Sequence, residues 1–273
     1  MLKLLAPAAL VLSAVCAFPQ ATQAPATPQR YASIIYLRVP AEKQAAFIEF
    51  YKTGAGAKSV RARMKADSTL FSWSLRQLMY PGENAPESNF IIVVGLNGPP
   101  AEPNPAKRDE LYKGATGMNY SQYMAAVRTM SEPGGSMLMH VHHLTDGYAL
   151  AEGDYVVAAR FKTGGPPANA AYSEAVRDVM FPLAADRVKE GSIKGWAWSH
   201  ITFPAGDSRE WDVTVTTVHK ALPLAAGGGG AGNTARFAKL FPNRNQTAYA
   251  ETIRAGSKQV RVDLYRVAAA IQP

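Results

Sequence analysis

Three histidines fall within four residues of one apolar segment, His140, His142 and His143 in MHVHHL. On an extended chain His140 and His142 share a face and His143 takes the other. Alternate histidines of a strand can reach one metal ion, although a zinc site needs three or four protein ligands. They can also move protons near neutral pH. His140 and His142 are therefore weak metal candidates, candidate pocket lining, or strand-end groups bonded to backbone and solvent. His200 stands in the segment GWAWSHITF, between Trp198 and Thr202. An earlier segment, FSWSLRQLMY, has Gln77 at the matching place. A polar residue at matched positions of two apolar segments makes Gln77 and His200 candidates for facing groups on a cavity wall. Trp73, Trp196 and Trp198 are either core packing or an aromatic wall for a flat, apolar ligand. Arg160, with Arg76 and Arg266, is a candidate source of positive charge at a cavity mouth, set against the ordinary solvated role of a strand-end arginine.

Several catalytic arrangements are absent from the 273 residues. There is no GxSxG elbow, HExxH helix or phosphate-binding lysine loop, and no CxxCH haem attachment. The run Gly227–Gly230 lacks a phosphate-loop frame and reads as a linker. The net charge of +8 is scattered, with no basic helix or dense patch, so nucleic acid is not an expected partner. Residues 1–18 read as a signal peptide: Lys3, an apolar run to Val15, then small residues, too short to span a bilayer. The expectation is an exported, periplasmic or secreted protein without a transmembrane segment. Lipid attachment at Cys16 is less favoured because Val15 is bulky where such sites carry Gly or Ala. Cys16 is the only cysteine, so a chain without its leader has no disulfide and no thiolate chemistry.

The elements that would position these residues come in duplicate. Phe71–Gly82 is echoed by Lys194–Gly206 at an offset of 123, pairing Trp73 with Trp196, Leu75 with Trp198 and Gln77 with His200. SQYMAAVRTM, from Ser121, is echoed by TAYAETIRAG, from Thr247, at an offset of 126. Two echoes in the same order indicate two copies of one module. Residues 19–30 read as a disordered tether. A first module is expected over 31–145 and a second over 151–273. In each the pattern predicts β-α-β-β-α-β. A break is expected at Gly54–Gly56, a kink or junction at Pro182, and one helical region over about 234–255. Such a unit is a four-stranded antiparallel sheet with helices on one face, and two units can cover each other's open faces.

This order and duplication resemble the dimeric α+β barrel superfamily in tandem, single-chain form: an α+β fold of two ferredoxin-like modules making a pseudo-dimeric barrel. The resemblance covers nearly all of the chain after the leader and rests on no specific motif. It implies a cavity between the modules. The function expected first is binding of a small, partly apolar or aromatic ligand there. The alternatives are a cofactor-light or haem-dependent oxygenase or isomerase, and a structural envelope protein without a ligand. No cofactor is the favoured expectation; haem stays open through His140, His142 and His200.

Overall fold

A computed structural model describes residues 29–80, 88–100, 104–165, 167–204, 209–222 and 231–273. The expected leader, most of the expected tether, the expected turn at Pro81–Gly82 and the glycine run lie outside them. The first half contains β1 (Arg30–Arg38), α1 (Gln44–Lys52), α2 (Ala55–Ala66), β2 (Leu70–Tyr80), β3 (Phe90–Asn97), α3 (Pro105–Thr116), α4 (Tyr120–Met130) and β4 (Glu132–Leu144). The second contains β5 (Tyr155–Thr163), α5 (Ala168–Ala175), α6 (Phe181–Lys189), β6 (Gly195–Phe203), β7 (Val213–His219), α7 (Ala231–Leu240), α8 (Gln246–Gly256) and β8 (Ser257–Ile271). The fold is α+β, each half follows the β-α-β-β-α-β order with split helices, and the eight strands close into one barrel.

Strand order around the barrel is β1-β3-β2-β8-β5-β7-β6-β4. Every neighbouring pair is antiparallel. The halves meet at two seams, β2 with β8 and β4 with β6. Closure leaves no open sheet edge.

Local signals explain the helix boundaries. Gly56 lies where an added Cβ would come within 2.8 Å of the Phe50 carbonyl oxygen and 2.6 Å of the Tyr51 ring, so the α1–α2 corner needs a residue without one. The Asn104 side chain caps α3, with Pro105 in its first turn, and Asn119 and Gln122 form a capping box on α4. Val176–Met180 is a π-helical turn between α5 and α6, placing the junction just before Pro182. The single helical region expected over 234–255 is two helices. Pro242 cannot continue α7, and the Asn245 side chain accepts from the backbone N–H groups of Thr247 and Ala248 to start α8.

Helices cover the outside of the barrel, and two cores lie beneath them. One joins Phe47, Tyr51, Val60, Tyr112 and Tyr123 to Trp73, Leu75 and Phe90. The other joins Tyr172, Val176 and Ala184 to Trp196, Trp198 and Val213. A third cluster, including Tyr36, Ile91, Val156, Tyr265 and Val267, fills part of the interior.

Candidate functional site

Side-chain direction along the strands decides what each surface can do. On β2 the odd-numbered Trp73 and Leu75 pack under the helices, while Ser72 and Arg76 line the interior. On β6 Trp196 and Trp198 lie in the helix-covered core, while Ala197 and Ser199 line the interior. Of the two readings of Trp73, Trp196 and Trp198, the structure places them in core packing, and it corrects the expectation that Gln77 and His200 face each other on the wall of the space between the modules. The Gln77 amide donates to the Gln44 side chain of α1 at 3.0 Å. His200 pairs with His140 across the β4–β6 seam on the outer face. Gln77 and His200 therefore do not meet inside. Of the charged candidates, Arg160 and Arg76 line the interior and Arg266 is exposed.

The histidines form a cluster on the outer face of that seam. Ring centroids of His140 and His142 are 4.2 Å apart, those of His142 and His200 are 4.8 Å apart, and Trp198 lies 4.5 Å from His200. His143 joins the same face, stacked on Phe181 and Trp198, because a register shift between Val141 and His143 breaks the alternation. Among the described residues no group of three or more metal-donor side chains is arranged to hold a metal ion. Burial first, then the neighbouring His200, His140 and His143, hold His142 down to about 4. Burial chiefly does the same to His200, also to about 4, with His140 and Arg209 adding to it and Asp212 opposing it.

The sign of that shift gives a prediction. A histidine that titrates near 4 when folded and near 6.5 when unfolded stabilises the fold fully above about pH 6.5, and this contribution is lost as pH falls to about 4. The melting temperature is therefore expected to fall across that window, and His142→Gln with His200→Gln to flatten the fall. An unchanged slope in the double variant would count against the cluster as its source.

Two cavities with aromatic walls lie between sheet and helices, one in each half. The first, about 170 Å3, is walled by Tyr51, Trp73, Tyr112, Tyr120 and Tyr123, with Arg63 among them. Tyr51 stacks on Trp73 at 5.3 Å. Burial raises the Tyr51 phenol well above its ordinary value, and Tyr123 adds to this. Burial likewise raises Tyr112 and Tyr123, while Arg63 opposes the rise at both. The second cavity, about 250 Å3, is lined by Met180, Arg187, Trp196, Phe237 and Tyr249. Burial, then Arg236, lowers Arg187.

These cavities share a repeated set: an arginine on the second helix, a tryptophan on the hairpin strand and a tyrosine on the last helix. Arg63, Trp73 and Tyr123 recur as Arg187, Trp196 and Tyr249, at offsets of 124, 123 and 126 residues. The tryptophan and tyrosine echoes are legible in the sequence, and the arginines complete them at nearly the same offset. Each set can hold a flat molecule against an aromatic wall and place a cation at its edge. No histidine lines either cavity or the barrel interior, so none of the three offers an imidazole to a haem iron.

No protein-family model matches the chain, and no curated protein matches it in sequence. Its fold does match solved structures. The putative monooxygenase of Lactobacillus acidophilus NCFM superposes with a TM-score of 0.53 at 10% identity, covering 89% of this chain and 96% of that one. The protein of the same description from Fusobacterium nucleatum superposes with a TM-score of 0.53 at 11% identity, covering 89% and 94%. At such identities the likeness is one of fold.

Proposed function

We propose that this chain is an exported, cofactor-light oxygenase acting on a small, partly apolar aromatic molecule. The reaction site is the first helix–sheet cavity, not the space between the modules. The observation that carries this reading is the Arg–Trp–Tyr set, present in both halves and lining a cavity between sheet and helices each time. The monooxygenase description of the two fold relatives agrees with it, and the leader supports export.

The chemistry follows from the side chains. Trp73 and the stacked Tyr51 hold a ring, and Arg63 stabilises the conjugate base of a phenol or enol. The hydroxyl proton leaves to water. The electron-rich ring carbon then takes up dioxygen, and the hydroperoxide loses water to give a carbonyl, so that phenol and O2 become quinone and H2O. The high-lying Tyr51 and Tyr123 phenols stay protonated and serve as donors to the developing peroxide oxygen. The test is 1-naphthol under air with an oxygen electrode and product analysis. One O2 is expected per quinone formed, and Arg63→Gln is expected to slow turnover by about 10–100-fold while the protein stays folded. Saturable binding without oxygen uptake would make the chain a ligand carrier. No binding at all would leave it a structural protein.

A further inference from the structure

The barrel interior holds a buried cation, Arg76, that no carboxylate among the described residues pairs. Among the described residues Arg76 and Arg160 line this space, and Arg261 and Asp263 are buried beside Arg160, with Glu210 3.9 Å from Arg261. Arg160 and Arg261 both bond the Asp263 carboxylate, and Tyr265 bridges Arg160 and Asp263 at 3.0 and 3.2 Å. Trp211 covers this network, with its ring 4.6 Å from the Arg160 guanidinium and 4.9 Å from that of Arg261. Arg76 is outside it. Its residue exposure is 6%, its Nε donates to Ser74 Oγ at 3.0 Å, and among the described residues no carboxylate lies within ion-pair distance. Buried charges are ordinarily paired, because an unpaired one costs far more than it returns.

Arg76 lines a cavity of about 80 Å3, separate from both helix–sheet cavities. Its neighbours there are mainly apolar: Ile34, Ile91, Val93, Met137 and Met139. Ile91 is the direct cross-strand partner of Arg76. Hydroxyls of Ser199, Thr214 and Thr216 line another part. We infer that the barrel interior is a site for a short aliphatic carboxylate, with its carboxylate on the Arg76 guanidinium and its hydrocarbon end against the isoleucines and methionines. A guanidinium fork matches a carboxylate in two parallel hydrogen bonds. The apolar lining disfavours sulfate or phosphate, which keep polar oxygens on every side. At about 10–15 Å3 per water the volume holds about five to eight water molecules, which suits a carboxylate of two to four carbons.

The test uses the chain without its leader in zwitterionic buffer, with butyrate, acetate, sulfate or chloride added at equal ionic strength. Butyrate is expected to raise the melting temperature most, since a ligand that binds only the folded state stabilises it. Arg76→Met is expected to weaken butyrate binding by about tenfold or more. Without added anion, the same variant is expected to melt above the wild type, because it no longer buries an unpaired charge. Ala158→Leu, which fills the cavity and keeps Arg76, is expected to lose the butyrate response as well. Equal butyrate responses in wild type and Arg76→Met would overturn the site. So would an Arg76→Met protein that melts lower or fails to fold in anion-poor buffer, since the protein itself then satisfies Arg76. A stronger response to sulfate or chloride would overturn the carboxylate assignment.

Discussion

Replacing Asp263 by Ala is expected to cost about 3–5 kcal/mol of stability, measured by denaturant unfolding. Asp263 is fully buried and is the carboxylate shared by Arg160 and Arg261, which are themselves 3% and 5% exposed. Its removal takes the common counter-charge from two interior guanidiniums, of which Arg261 keeps Glu210 at 3.9 Å, and leaves a tyrosine hydroxyl without this acceptor. Breaking a buried pair from one side is far costlier than the pair's net contribution to the intact fold, because desolvation of the remaining charge is no longer offset. The network ties β5 to β8 within the second half, so the loss should appear as a lower midpoint of one cooperative transition. A further Arg160→Met change should recover part of the loss by removing one orphaned cation. A loss below about 1 kcal/mol in Asp263→Ala would show that water reaches the network and that it is screened like a surface pair.

The architecture was legible because it is written in pattern and repetition. The echoes around Trp73/Trp196 and Tyr123/Tyr249 mark the same strand and the same helix in each half, and the strand order closes as two such units must. The facing of the strands was not legible from alternation alone. WAWSHITF alternates large with small residues, and both faces are buried, so either could be taken as the inner one. Closure decides it. An eight-stranded barrel has an interior only wide enough for side chains to fill. Ser74, Ala158, Ala197 and Ser199 therefore take inward positions, and Trp73, Trp196 and Trp198 go outward, where helices supply depth. The same rule explains why inward arginines need companions such as Asp263, Tyr265 and Ser74. His143 escaped the alternation for another reason: a one-residue register shift leaves no mark on the apolar pattern. The Asp263 network rests on contacts across strands far apart in the sequence, which no spacing rule connects.

Trp196→Ala is expected to cost about 3–5 kcal/mol, the usual range for a buried aromatic truncated to alanine. Trp196 is 4% exposed and packs in the core shared by Tyr172, Val176 and Ala184, with Phe181 at 6.2 Å between ring centroids. Its backbone is also fixed, since its N–H donates to Thr145 Oγ1 at 2.9 Å. The second cavity of about 250 Å3 already borders it, so truncation enlarges an existing void rather than opening a new one. Trp73→Ala in the first half is the paired measurement. There the ring is stacked on Tyr51 beside a cavity of about 170 Å3 and is 3% exposed. If both tryptophans serve packing alone, the two losses should be similar and a bound aromatic should change neither. If Trp73 also walls the reaction cavity, 1-naphthol should stabilise the wild type and Trp196→Ala but not Trp73→Ala. Phe at position 73 should restore stability more fully than turnover, because a smaller ring refills the core without reproducing the indole surface. A naphthol-induced shift that survives in Trp73→Ala would remove that tryptophan from the site and leave it to the core.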